Sequence, residues 1–210
     1  MIPINFNESW HEHVYHLFYS DTKINLLKEH FKNNKDVLIP SLINIFRPFN
    51  IDINSIKGII INDMPEVNSN GLLFGTNDLT NKSIHNVETN LKNTIYKDNK
   101  EWKLDHTLEK WSNQGLLLLN MNLTYPYTQY NNLHYIYRYF TLEILKIVYN
   151  KQADIPILSM GRRVNNILRG YNLINIVYGV GPESNNFLVE DCLVDYKNLV
   201  KRLYNININY

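Results

Sequence analysis

Four apolar runs divide the chain, and each of them ends at a glycine or a polar residue. The clearest lies in 115–120, Gly-Leu-Leu-Leu-Leu-Asn, where four consecutive leucines show no alternation of apolar and polar positions. Such a run predicts a strand covered on both faces, as in a parallel sheet between helices. Gly115 supplies the left-handed conformation that ends many helices, and Asn120 falls at the carboxyl end of the strand, where open α/β sheets bind ligands.

The other three runs predict further strands, and helical patterns lie around them. The three runs cover 56–61, 155–160 and 172–179. Apolar residues at helical spacing predict helices over 10–31 with a break at 20–22, from about 80 onward, over 135–149 and over 189–204. Strands and helices in this order predict an α/β protein with a mostly parallel central sheet.

Length and composition narrow the class of protein. A chain of 210 residues with 44% hydrophobic residues and no repeat or linker predicts a single domain, 1–210, whose residues 1–35 form an N-terminal helical region. The single cysteine, Cys192, excludes an internal disulfide and a cysteine-based zinc site. The sequence contains no signal peptide and no apolar run of transmembrane length, so we expect an intracellular protein, in the cytoplasm, a nucleoid or a viral replication site.

Charge and histidine content add little to this picture. A formal net charge of +1 gives no overall attraction to nucleic acid, so any DNA contact must come from local patches. His11, His13 and His16 are close in sequence, but their spacing does not place them on one helical face. We therefore interpret them as surface residues and expect neither a metal nor a cofactor.

One longer motif surrounds the leucine run. Trp111, two residues, Gln114, Gly115, four aliphatic residues and Asn120 form a pattern that resembles the uracil-DNA glycosylase family. In that family the asparagine reads a uracil that has been flipped out of DNA. The resemblance extends in consistent order over about 39–203 and is nearest to the short, poxvirus-like viral members. It implies a three-layer fold, with a central, mostly parallel four-stranded sheet and helices on both faces.

The resemblance implies roles for residues after the first strand. Asp63 stands where the family has the aspartate that activates water and stabilises the cationic sugar. Asn62 replaces a base-binding glutamine, and Pro65 replaces the tyrosine that excludes a thymine methyl group. Phe74 matches the phenylalanine that stacks on uracil. These residues, with Asn120, are the candidate base-binding set.

Other matches imply contacts with single-stranded or duplex DNA. Ser83 is the nearest counterpart of a serine that contacts phosphate, and Arg162 and Arg163 match a Gly-Lys-Lys string at a helix start, an arrangement that favours anions. Ser184 and Phe187 lie in the last loop, where the family inserts a leucine wedge into the duplex. Phe187 or its neighbour is the candidate wedge.

The same loop departs from the family at its most important position. Gly181 stands where the family has a histidine that donates a hydrogen bond to the departing uracil as negative charge builds. Loss of one such donor typically lowers a rate by about 10²–10³. Asn185 stands in the wedge position, and Pro65 removes the aromatic gate. We therefore expect weakened excision and weaker discrimination against larger pyrimidines.

Three hypotheses follow. The favoured one is a divergent glycosylase-fold protein with weak, altered or lost base excision, acting as a DNA- or protein-binding component of replication or repair. The viral members double as parts of a polymerase processivity complex, so a polymerase-associated protein is an expected partner. The second hypothesis is an active glycosylase for uracil or a modified pyrimidine, with Asp63 activating water and Asn120 reading the base. The third is an unrelated α/β domain.

Overall fold

The computed structural model describes residues 5–34, 38–78, 80–124 and 134–210. The helices are α1 His11–Tyr19, α2 Thr22–Asn34, α3 Leu42–Ile45, α4 Lys82–Thr94, α5 Glu109–Ser112, α6 His134–Lys151, α7 Arg162–Leu168 and α8 Cys192–Tyr204. The strands are β1 Gly58–Asn62, β2 Leu116–Asn120, β3 Ile157–Met160 and β4 Ile176–Gly179. Within the described ranges, every helix is too short or too polar to cross a membrane.

The four strands form one parallel sheet in the order β2-β1-β3-β4. Asn62 at the end of β1 is paired with Asn120 at the end of β2, and Met160 of β3 is paired with Gly179 of β4. The polar endings predicted for the strands are therefore aligned along one edge of the sheet. Because ligands of open α/β sheets bind outside this carboxyl edge, the register defines where the site must lie.

Helices cover both faces of the sheet, which confirms the three-layer α/β arrangement. Alternate residues of β1 point to opposite sides: Ile59 and Ile61 pack with α1, α2, α6 and α7, whereas Ile60 packs with α4, α5 and α8. The four leucines of β2 are each at most 1% exposed. Burial on both sides explains why β2 lacks alternating polar residues.

Gly115 ends the α5 region as predicted. Its φ is +93°, and a side chain there would place its Cβ 2.6 Å from the carbonyl oxygen of Ser55. Only glycine adopts this conformation without cost and leaves room for the neighbouring chain. Lys57 then donates its backbone N–H to the Gly115 carbonyl at 2.8 Å, which leads directly into the pairing of β1 with β2.

The closing helix begins later than the periodicity predicts. It starts at Cys192, and the preceding residues Asn185–Val189 form a 3-10 helix in which Val189 is exposed. The reason is a buried side chain of α4: Asn90 Nδ2 donates to the carbonyls of Phe187 and Glu190, both at 2.8 Å. These bonds hold the segment against α4 in its 3-10 form, in which the Phe187 carbonyl also accepts the backbone N–H of Glu190 at 3.2 Å.

Candidate functional site

An open crevice of about 620 Å³ lies at the carboxyl ends of β1 and β3. It brings together several of the predicted site residues, which come from segments far apart in the chain. The lining residues are Asn62, Asp63, Met64, Pro65, Glu66, Gly161, Arg162, Arg163, Asn166 and Glu183. Three carboxylates and two guanidinium groups line the crevice, so its charge does not favour a phosphate deep inside.

Both carboxylate oxygens of Asp63 are hydrogen-bonded. Oδ2 lies 3.0 Å from Nη1 of Arg163, and Oδ1 accepts from Nδ2 of Asn122 at 2.9 Å. Asn122 in turn lies 3.1 Å from Nδ1 of His134. The Arg163 side chain is 60% exposed, so its ion pair contributes about 1 kcal/mol or less and is easily exchanged. Asp63 is thus oriented by Asn122, which the sequence interpretation missed.

Asn120 has a buried amide oxygen without a hydrogen-bond partner. Its Nδ2 donates to the carbonyl of Leu73 at 2.8 Å, whereas Oδ1 is buried and unpaired. The atom that faces the Leu73 carbonyl must be a donor, so the unpaired atom is the acceptor. A buried acceptor without a partner lowers the stability of the folded protein by roughly 1–3 kcal/mol, and a ligand that donates an N–H to it would recover this free energy.

The Leu73 carbonyl is aimed at Asn120 by an unusual backbone conformation. Leu73 has φ +51°, a value that L side chains rarely adopt and that stores strain. Gly71, two residues earlier, has φ +96°, and a Cβ there would overlap the carbonyl oxygen of Asn44. The segment before Phe74 therefore takes a shape that positions Asn120 rather than the shape its residues prefer.

Two predicted contact residues are buried instead of exposed to the crevice. The ring of Phe74 is fully buried and packs edge-on against Trp111, with ring centroids 6.2 Å apart. Ser83 is buried on the inward face of α4, and its hydroxyl donates to the Glu66 carboxylate. In this conformation Phe74 is a core residue, and the Ser83 hydroxyl is bonded to a carboxylate that lines the crevice.

The predicted wedge is also a core residue. Phe187 is fully buried in the cluster beneath α4 and α8, so it cannot enter a duplex from this position. Asn86 of α4 donates to the carbonyl of Pro182 at 2.7 Å, which fastens the start of the same loop. Ser184 accepts the backbone N–H of Asn186 at 3.2 Å and acts as a helix cap. The expectation for Phe187 came from sequence position alone, and packing overrides it.

Glu183 occupies the space beside Gly181. A Cβ at Gly181 would overlap both carboxylate oxygens of Glu183. The negative charge therefore lies where the side chain of a histidine at this position would begin. Gly161 lies close both to the end of β1 and to this loop. A Cβ built on Gly161 would lie 3.6 Å from Oδ1 of Asn62 and 3.9 Å from Cα of Gly181. Sequence reasoning did not select Glu183, although it follows Gly181 by two residues in a tight turn.

Arg162 and Arg163 stand at the start of α7 with exposed side chains. Gly161, with φ +95°, connects β3 to this helix and donates its N–H to the Gly179 carbonyl at 3.0 Å. The geometry places both guanidinium groups on the outer rim of the crevice. A phosphate backbone that passed this rim could pair with them without entering the crevice.

Solved structures share this fold. The crystal structure of mimivirus uracil-DNA glycosylase superposes with a TM-score of 0.78 over 95% of this chain and 85% of that chain, at 14% identity. The wild-type UNG of Nitratifractor salsuginis gives a TM-score of 0.66 over 93% of this chain and 91% of that chain, at 15% identity. The four-stranded parallel sheet between helical layers is therefore a uracil-DNA glycosylase fold.

Curated proteins with similar sequences carry the same name as the mimivirus protein. No protein-family model matches the chain. Uracil-DNA glycosylase of Borrelia turicatae is 27% identical over 172 residues, covering 76% of this chain and 75% of that protein. The proteins of the same name from Lactobacillus helveticus and Streptococcus mutans are 31% and 29% identical, but the matches span only 47% and 63% of their lengths. The chain is therefore similar to uracil-DNA glycosylases both in sequence and in fold.

Proposed function

We propose that the protein is a uracil-DNA glycosylase-type hydrolase that releases uracil, or a related pyrimidine, from DNA slowly. The observation that carries this proposal is the unpaired, buried amide oxygen of Asn120 at the sheet edge that also holds the Asp63 carboxylate. The names of the curated relatives support the chemistry and the DNA substrate.

Asn120 is suited to the hydrogen-bonding edge of uracil. Uracil presents an N3–H donor beside a carbonyl acceptor at C4, and the free Oδ1 accepts that N–H while the second hydrogen of Nδ2 is available to the carbonyl. Cytosine offers the opposite pattern and would leave both groups unpaired, which is the kind of mismatch that rejects a substrate strongly. Asn120 is 6% exposed, so the base reaches it only after a neighbouring loop moves.

Asp63 would act on the sugar. Cleavage of the N-glycosidic bond leaves positive charge on the sugar ring, and a nearby carboxylate stabilises that charge and accepts a proton from the attacking water. Asn122 holds one oxygen of Asp63, and exchange of Arg163 onto a DNA phosphate frees the other. Binding of the DNA backbone thereby prepares the carboxylate for its role.

The slow rate follows from the last loop. The departing base becomes an anion and requires a hydrogen-bond donor. Gly181 has no side chain, and the Glu183 carboxylate beside it adds negative charge. Absence of one donor lowers the rate by about 10²–10³. Pro65 lines the crevice in place of an aromatic ring, so pyrimidines with a group at C5 should also be accepted.

Weak excision is compatible with a role in holding DNA or a replication protein. The exposed arginines of α7 support a DNA contact. The relatives reported above are named for glycosylase activity rather than processivity, so the polymerase-associated partner has only the resemblance to viral members in its favour. We therefore base the proposed function on base release.

A single-turnover assay tests the proposal. Excess protein is mixed with single-stranded DNA containing one uracil, and released base is measured for the wild type, Asp63→Asn, and Gly181→His combined with Glu183→Ser. Asp98→Asn, an exposed loop carboxylate, is the matched control. We expect slow release that Asp63→Asn abolishes, that the double variant accelerates and that Asp98→Asn leaves unchanged. No release from either the wild type or the double variant would overturn the proposal.

A further inference from the structure

Three metal-ligating side chains meet beside α4, away from the crevice. Among the residues that the structure describes, His85, Glu88 and His106 are the one group of histidine and acidic side chains whose ligand atoms all lie within 4.8 Å of one another. We infer that these three residues form a binding site for a divalent transition-metal ion such as Zn²⁺. Two imidazoles and one carboxylate suit such metals and leave a coordination position for water.

The local geometry organises the three ligands before any metal binds. His85 and Glu88 are three residues apart on α4 and therefore share one face of the helix. Nε2 of His106 lies 2.9 Å from Oε2 of Glu88, and their side chains are only 16% and 14% exposed. The rings of His85 and His106 are perpendicular, with centroids 5.4 Å apart. Limited exposure and fixed partners reduce the entropy lost on binding.

Lys92 acts as a stand-in for the cation. Its Nζ lies 2.7 Å from Oε1 of Glu88, four residues away on the same helix. Lys92 has a long side chain that can swing into solvent when a metal takes its place.

The location indicates a structural role. The His106 carbonyl accepts the N–H of Thr76 at 2.9 Å, and the adjoining Thr107 carbonyl accepts from Asn70 at 2.9 Å. A metal that joins α4 to this loop would therefore brace the segment between Asn70 and Thr76. That segment contains Leu73, whose carbonyl holds Asn120. Metal binding would rigidify the candidate base-reading residue from outside the crevice.

Calorimetric titration of the full chain with Zn²⁺, after removal of metals by a chelator, tests the inference. We expect one Zn²⁺ per chain, affinity reduced more than about tenfold in His85→Ala and in His106→Asn, and tighter binding in Lys92→Met because the competing ammonium is gone. His13→Ala is the matched control, since His13 also lies beside a carboxylate, Glu12, at 3.1 Å.

Two outcomes would overturn the inference: wild-type protein without saturable binding, or equal affinity in the wild type and His85→Ala. Zn²⁺ should also raise the Tm of the wild type but not of His85→Ala. Because His85 is exposed, its replacement should leave the fold intact, which circular dichroism would verify. Neither readout depends on base release, so failure here is separate from failure of the proposed function.

Discussion

Two parts of the candidate site differ in how many of the residues implied by the family resemblance they contain. Asn62 and Asn120 are paired at the ends of β1 and β2, and Asp63, the next residue after β1, is oriented by the amide of Asn122. In the loop after β4, Gly181 stands where the family resemblance implies a histidine, and the carboxylate of Glu183 fills the adjacent space. The groups proposed to read a base and to activate water are thus both present, whereas the last loop offers no side chain for the proposed role of stabilising a leaving anion.

The difference has a structural origin. Asn62 and Asn120 extend from buried strands whose register is set by the core, so these positions cannot shift without disturbing the sheet. The last loop is held instead through its backbone, since Asn86 and Asn90 bond to its carbonyls. A loop anchored by its carbonyls can keep its path when an exposed side chain such as that of Glu183 changes. Its chemistry can therefore change while its position does not.

The largest effect is expected from a substitution of Asp63. We predict that Asp63→Asn lowers single-turnover release of uracil by about 10²–10⁴, because an amide cannot accept a proton from water. DNA binding, measured in parallel by fluorescence anisotropy, should remain. Asp98→Asn serves as the control. Release within tenfold of the wild type in Asp63→Asn would mean that the retained half of the site is not catalytic.

The second test restores the missing group. Gly181→His combined with Glu183→Ser should raise release by about 10²–10³, the usual contribution of one donor at a developing anion. Gly181 is not among the positive-φ glycines, so its backbone accepts a side chain. Gly181→His alone should gain less, because Glu183 must first move away. A double variant no faster than the wild type would show that the loop is not the limiting difference.

A third test weakens the support of Asn120. Gly71→Ala should lower the free energy of unfolding by about 1–3 kcal/mol, because φ +96° disfavours a Cβ that also meets the Asn44 carbonyl. Gly170→Ala is the control: its φ is not positive, and the nearest atom to its Cβ is 3.2 Å away. Urea denaturation measures both. Equal stability of the two variants would argue against strain in the segment that holds Asn120.

The smallest effect is expected on the rim of the crevice. Arg162→Gln should weaken DNA binding by a similar factor for all sequences and reduce the slope of log affinity against log salt by about 1. Lys100→Gln, in an exposed loop, is the control. Anisotropy at several salt concentrations gives both quantities. An unchanged slope would exclude Arg162 as a phosphate contact and leave DNA binding to the interior of the crevice.

Much of the fold could be predicted because its signals are local. Four consecutive leucines with a glycine before them and Asn120 after them predict a buried strand that ends at Asn120, and the structure confirms the strand, its burial and its end. The boundary at Val189 was wrong, because Asn90 captures carbonyls almost a hundred residues away. Sequence periodicity cannot register such a distant hydrogen bond.

The sequence by itself determined the parallel sheet, its polar edge and the absence of a side chain at Gly181, because these depend on residue type and order along the chain. Only the tertiary structure decided that Phe74, Ser83 and Phe187 are buried, and that Glu183 lies beside Gly181. Only the tertiary structure brings His106 close to His85 and Glu88. Burial and proximity depend on which segments pack together, and that choice is made by the whole core at once.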